Sequence, residues 1–177
     1  MKLNYRNHRK MVIVDSKILH TGGMNLVQEY IDGGKAFDSW RDTNARIEGE
    51  IVIHYLAVFI SDWMSSNGKF DFILPKEKPV SDGEYIMQLS ASGPDTIWTS
   101  LQMLYTKLIT EATQEILIES PYFVPDDGIL EQLKIAALAG ISVKIIITGI
   151  PDKKIPYWVA ETYFEELLNS GIEVYRY

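Results

Sequence analysis

Residues 115–148 read EILIESPYFVPDDGILEQLKIAALAGISVKIIIT, and this stretch decides the fold class. Glu115 to Ser120 is a short apolar-rich run with the length of a strand. Pro121-Tyr122-Phe123-Val124-Pro125 follows as an extended loop, because each proline pushes the residue before it out of the helical region. Asp126-Asp127-Gly128 then offers an N-cap to a helix over Ile129 to Ala139, which Gly140 closes in the helix-ending position. Ile141 to Thr148 reads as a second strand, buried in the sheet. Outward from there, Tyr157 to Asn169 has helical spacing, Gly171 ends it, and Ile172 to Tyr177 begins a third strand. Strand, helix, strand, helix, strand with short connections predicts a parallel α/β unit.

Working back toward the N-terminus, Thr96 to Ala112 predicts a helix with Ile97, Leu101, Leu104 and Leu108 on one face. Tyr85 to Ser92 predicts a strand. Residues 69–83 hold Pro75, Pro79, Gly83 and the cluster Lys76-Glu77-Lys78, a composition that reads as a linker between two lobes. Before it, Ile51 to Ser65 has helix-compatible spacing and stops at Asn67-Gly68, and Asp38 to Glu48 contains a candidate strand at Thr43 to Ile47. Met11 to Val14 is an uninterrupted apolar run, the pattern of a strand buried on both faces. Asp15-Ser16-Lys17 turns it, Ile18 to Thr21 returns, and Gly22-Gly23 breaks that strand before a short helical stretch near Asn25.

Composition narrows the function classes. The chain has 177 residues, no cysteine and a formal net charge of −7. The missing thiols exclude disulfides, thiolate catalysis and Cys-ligated zinc. The negative balance disfavours broad nucleic-acid binding, for which basic surfaces supply most of the affinity. The longest apolar runs fall short of the roughly 18 residues of a membrane span, and the opening residues lack a signal-peptide core, so this stretch reads as soluble.

The chemistry-bearing pattern is His8-Arg9-Lys10, Asp15 and Gly22-Gly23-Met24-Asn25. Residues two apart on a strand share a face, so His8 and Lys10 point into one site. The cation beside the imidazole disfavours its protonation, leaving the ring able to attack or to take up a proton. Lys10 and the Asn25 carboxamide are both donors suited to phosphoryl oxygens, and Gly22 and Gly23 let backbone approach an anion closely. An isolated His-x-Lys is most often a surface pair. Six fixed identities at fixed spacing arise by accident less than about once in a million starts.

This pattern resembles the phospholipase D superfamily motif H-x-K-x4-D-x6-G-[GS]-x-N. Further stretches are similar to its cardiolipin synthase branch: Glu29-Tyr30, Trp40-Arg41-Asp42-Thr43, Arg46-Ile47-Glu48-Gly49, Ser92-Gly93-Pro94-Asp95 and Ser120-Pro121-Tyr122-Phe123-Val124-Pro125-Asp126. Asn44 departs from it, since the branch carries a His there. The resemblance implies an α/β fold, a mixed sheet flanked by helices. Residues 1–68 are expected to be the back half of one lobe and residues 84–177 the front half of the next, with the second motif beyond Tyr177 in a longer protein.

The resemblance also implies a reaction. One motif His attacks phosphorus to give a phospho-histidine, and a second protonates the leaving alkoxide. His8, Lys10 and Asp15 are the implied catalytic set, with Asp15 a buried supporting partner. Lys10, Gly23 and Asn25 hold the phosphate, and Asp42 orients a motif imidazole. No metal or organic cofactor is implied. The substrate class is an anionic phospholipid, phosphatidylglycerol, reached at a bacterial membrane surface through segments outside this stretch. The alternatives are a dimeric phosphodiesterase or nuclease of the same superfamily and an inactive interface module. The remaining imidazoles, His20 and His54, have no Lys two residues on and read as strand and helix residues. Two chains are expected to pair as a homodimer, with both copies of His8 facing across a twofold axis.

Overall fold

The computed structural model of the chain describes residues 7–33, 40–76, 83–93 and 97–177. Expectations placed on Asp38, on Glu77 to Pro79 and on the start of a helix at Thr96 lie outside the described residues. Contacts divide the chain into two units, residues 1–94 and 95–177.

In the first unit, strands β1 (Met11–Val14), β2 (Ile18–Gly22) and β3 (Asn44–Glu48) form an antiparallel sheet in that order. Asp15 and Ser16 both take positive φ, 53° and 54°, and the Lys17 amide donates to the Val14 carbonyl at 3.0 Å. Val14 pairs with Ile18, so the loop is Asp15-Ser16-Lys17, with its first two residues in the left-handed region and a turn closed by the Lys17 to Val14 bond. Helix α1 (Glu29–Asp32) lies between β2 and β3, and helix α2 (Ile51–Ser65) follows β3. Leu19 on β2 and Val52 on α2 are fully buried. The expectation that β1 is buried on both faces is corrected: Val12 and Val14 are 41% and 44% exposed. An antiparallel hairpin needs only one covered face, unlike a parallel strand.

The opening of the stretch read as a linker is packed. Trp63 Nε1 donates to the Lys69 carbonyl at 2.9 Å, and Phe72 meets Phe59 and Trp63 edge-on at 6.0 and 6.1 Å between centroids. Tyr85 to Ser92 is not a strand. Tyr85 and Ile86 are strand formers, but no strand pairs with the stretch among the described residues, and Tyr85 is 90% exposed. A strand exists only through its ladder.

The second unit follows the predicted alternation. Helix α3 (Ser100–Glu111) precedes strand β4 (Glu115–Glu119), helix α4 (Asp127–Leu138), strand β5 (Ser142–Ile147), helices α5 (Lys154–Glu161) and α6 (Phe164–Asn169), and strand β6 (Glu173–Arg176). The sheet is parallel in the order β4-β5-β6, with Ile116 opposite Val143 and Ile145 opposite Val174. Val143, Ile145 and Ile147 alternate into a core with Leu130 and Leu133 of α4 and Leu167 of α6. Asp126 caps α4 by accepting from the Ile129 amide at 3.1 Å, and that bond holds its carboxyl below the usual range. Gly140, at φ 95°, closes the helix where a Cβ would be strained.

Two expectations need correction here. The helix expected over Tyr157 to Asn169 starts earlier, at Lys154, and breaks, because the Thr162 amide and hydroxyl both bond the Val159 carbonyl, at 3.1 and 2.7 Å. The Leu101, Leu104, Leu108 face of α3 is largely exposed, and Ile109 is the residue it buries. Phe123 joins the core, whereas Tyr122 and Trp158 are 41% and 58% exposed. Both units together make a mixed α/β chain of two small sheets flanked by helices.

Candidate functional site

The antiparallel sheet gathers most of the motif at one end. Thr21 pairs with Met11 in the ladder, and its hydroxyl donates to the Lys10 carbonyl at 2.9 Å, which extends the alignment one residue past β1. His8 and Lys10 therefore lead into the sheet at the end where β2 runs out at Gly22 and where β3 begins, opposite it, at Asn44. Gly23 and Asn25 follow the end of β2, and Asp42 precedes the start of β3. The departing residue Asn44 is exposed and occupies the first rung.

His8 and Lys10 do share a side. Lys10 Nζ lies 2.9 Å from His8 Nδ1 and also donates to the His8 carbonyl at 2.8 Å. An ammonium has only protons to give, so Nδ1 is the acceptor and the ring proton sits on Nε2. His8 is exposed and Lys10 half-buried. The residue between them points the other way. Arg9 Nη1 reaches both carboxylate oxygens of Asp62 on α2 at 2.7 Å, Nη2 donates to the Ser92 carbonyl at 3.2 Å, and Asn7 Nδ2 adds a third contact to Asp62 at 3.1 Å. This anchor holds the residue just ahead of β1 whose neighbours carry the chemistry. Nothing in the sequence pairs Arg9 with a residue 53 positions away.

The glycines have an immediate reason inside the fold. A Cβ on Gly22 would collide with the Thr43 carbonyl, and one on Gly23 would lie 2.6 Å from Asp42 Oδ1. The Asp42 carboxylate is held there by the Thr43 amide, which donates to Oδ1 at 2.7 Å. Asp42 thus closes on the Gly23 backbone, while the described contact of the His8 ring is with Lys10. Asn25 Nδ2 donates to the Tyr30 hydroxyl at 2.8 Å, and the Tyr30 ring packs on Trp40 with centroids 4.8 Å apart.

Asp15 is not brought to this cluster. It sits in the hairpin turn at the far end of β1, roughly 16 Å of extended chain from Lys10, and it is exposed rather than buried. It lines a groove of about 670 Å³ with Met11, Ile13, Leu56, Phe59 and Phe72, on the face of β1 that alternates away from His8 and Lys10. His20 and His54 lie exposed on β2 and α2, as strand and helix residues.

Comparison with known proteins supplies the family. Residues 105–177 match the family described as Cardiolipin synthase, PLD-like domain. The chain is 43% identical over 179 residues to a cardiolipin synthase of Geobacillus sp. (strain WCH70), covering 99% of this chain and 36% of that protein. It is 40% identical over 184 residues to the cardiolipin synthase of Clostridium perfringens (strain SM101 / Type A), covering 100% and 39% respectively. Cardiolipin synthase 2 of Bacillus anthracis is 41% identical over 180 residues, 99% of this chain and 35% of that one. The chain belongs to the cardiolipin synthase branch of the phospholipase D-like family.

The chain spans a little over a third of the length of the curated cardiolipin synthases it matches. The family match covers most of the parallel unit, whereas the His8 motif lies in the antiparallel one, which the similarity to the relatives includes. Among the described residues no helix is long and apolar enough to cross a membrane. Arg9, Asp62, Tyr30 and Trp40 are the residues that this cardiolipin synthase relative adds to the site beyond the motif positions.

Proposed function

We propose that the chain contributes one half of a phosphatidyltransferase centre that moves a phosphatidyl group between two phosphatidylglycerol molecules, releasing glycerol and forming cardiolipin. The observation that carries this reading is the Lys10 Nζ to His8 Nδ1 contact of 2.9 Å. It puts a cation and an imidazole together at the sheet end that also carries Asn25. With Nδ1 engaged, Nε2 is the ring atom left for chemistry. To act as general acid the ring must first take a second proton on Nδ1, displacing the Lys10 contact, and as imidazolium it gives the Nε2 proton to the departing glycerol alkoxide. Alternatively, once the Lys10 contact is released and the proton moves to Nδ1, Nε2 attacks phosphorus to form the phospho-histidine. A phosphatidylglycerol hydroxyl then displaces the imidazole and completes the exchange.

Lys10 and Asn25 stabilise the charge that gathers on the phosphoryl oxygens. Asp42 positions the Gly23 backbone beside them, and Asp15 shapes the hairpin turn. The reaction needs two imidazoles, and the chain holds one His-x-Lys pair. The second comes from another motif of a longer chain, in which residues 1–68 and 84–177 belong to successive lobes, or from a second copy in a homodimer. Access to the lipid places the reaction at a bacterial membrane surface.

The test is glycerol release and cardiolipin formation from phosphatidylglycerol vesicles, measured for the chain and its His8→Ala variant across a concentration range. Activity that rises with dimer and disappears in the variant is expected. Equal activity in both proteins refutes the role of His8, and cleavage of single-stranded DNA in place of lipid turnover redirects the reading to a nuclease.

A further inference from the structure

Asn25 does not stand alone at the site. Its amide nitrogen is committed to the Tyr30 hydroxyl at 2.8 Å, and Tyr30 is half-buried on α1 with its ring against Trp40. Trp40 lies two residues before Asp42, the carboxylate that occupies the space beside Gly23. The segment leaving β2, braced internally by the Asn25 to Tyr30 hydrogen bond, is therefore tied to the residues entering β3 by one aromatic contact. A phenol that accepts a hydrogen bond from Asn25 still has its own proton to donate. A carboxamide on an exposed side chain is otherwise a free rotor, and freezing it before a ligand arrives removes an ordering cost from binding.

We propose that Tyr30 is the positioning residue for Asn25: it fixes the rotamer of the carboxamide and turns its second N–H, together with the phenolic proton, toward a phosphoryl oxygen. This deepens the phosphodiester reading above and rests on it. Trp40 acts one step further back by fixing the Tyr30 ring. The function of the Asn25 donor then depends on a hydroxyl five residues away.

Inorganic phosphate is the probe, and the side-chain amide of Asn25 and the ring of His8 are the reporters, followed by NMR in the isotope-labelled chain. In the wild type both signals are expected to move on titration. Tyr30→Phe keeps the ring on Trp40 and removes only the hydroxyl, so the β1–β3 amides stay in place. The Asn25 amide shifts before any ligand is added, and phosphate affinity falls roughly five- to tenfold, the scale of one hydrogen bond. Asn25→Ala loses at least as much, and Tyr30→Phe adds nothing further in the double variant, because the two act as one unit. A purely structural tyrosine would give additive losses. Labelling with 3-fluorotyrosine supplies a second measurement with the ring in place, in which the residue 30 fluorine signal moves with phosphate. Phosphate affinity unchanged in Tyr30→Phe, or losses that add, overturns the proposal while leaving His8 chemistry standing. A wild-type chain in which neither His8 nor Asn25 responds overturns the phosphodiester reading and this inference with it.

Discussion

Replacing Gly23 by Ala tests how the site is braced. The new Cβ would sit 2.6 Å from Asp42 Oδ1, 2.9 Å from Oδ2 and 3.1 Å from Cγ. Ordinary contact lies further out, so the carboxylate must retreat by about 0.5–1 Å or the backbone must open by as much. Oδ1 is also the acceptor for the Thr43 amide at 2.7 Å, and retreat stretches that bond. Overpacking of this kind costs about 1–3 kcal/mol in a closed core. Gly23 and Asp42 are both exposed, so the lower end of that range is expected. Urea unfolding followed by tryptophan fluorescence gives the stability change, and the Thr43 amide resonance reports the displaced carboxylate directly. In an active assembly, a displacement near 1 Å at the reacting group is expected to lower turnover by up to about a hundredfold. A variant with an unmoved Thr43 amide and unchanged stability would show that Asp42 does not fill the space beside Gly23, and the bracing argument would fail.

Leu133→Ala in α4 removes a side chain with no exposed surface and is expected to destabilise the parallel unit by about 2–5 kcal/mol, read from its denaturant midpoint. Arg9→Ala abolishes the fork onto Asp62, whose two partners are about one-third exposed; a loss of about 1 kcal/mol is expected, together with broadened His8 and Lys10 resonances as the strand end loosens. Asp126 gives a pH prediction. Its carboxyl is held below the ordinary carboxylate value, chiefly by the Ile129 amide, so the ionised cap supports α4 fully above that ordinary value. The support is lost as pH falls through the lower folded value. Asp126→Asn keeps the cap and is expected to flatten the acid limb of the helical circular dichroism, and an unchanged limb would count against the capping argument.

Much of the parallel unit is legible in the sequence. Glu115 to Thr148 encodes its strands and helix locally, through apolar runs of strand length, an Asp N-cap at Asp126 and a Gly at the closing position 140. Such signals act over a few residues and survive any tertiary context. The hairpin around Asp15 and Ser16 was readable for the same reason, although its left-handed turn was not, because neither residue demands positive φ. The failure at Tyr85 to Ser92 has the opposite cause: strand propensity was present, but a ladder is a relation between segments, and no propensity supplies the partner.

The sequence by itself determined the α/β class, the His8-Lys10 pair and the membership that six spaced identities announce, since alternation along a strand and fixed motif spacing are local properties of the chain. Tertiary structure alone decided which residues brace that pair. Arg9 meets Asp62, Gly23 yields its space to Asp42, and Asn25 is held by Tyr30, while Asp15 is carried to the opposite end of β1. These contacts depend on how strands register and on which loops leave the same edge, and those relations form only when distant segments pack.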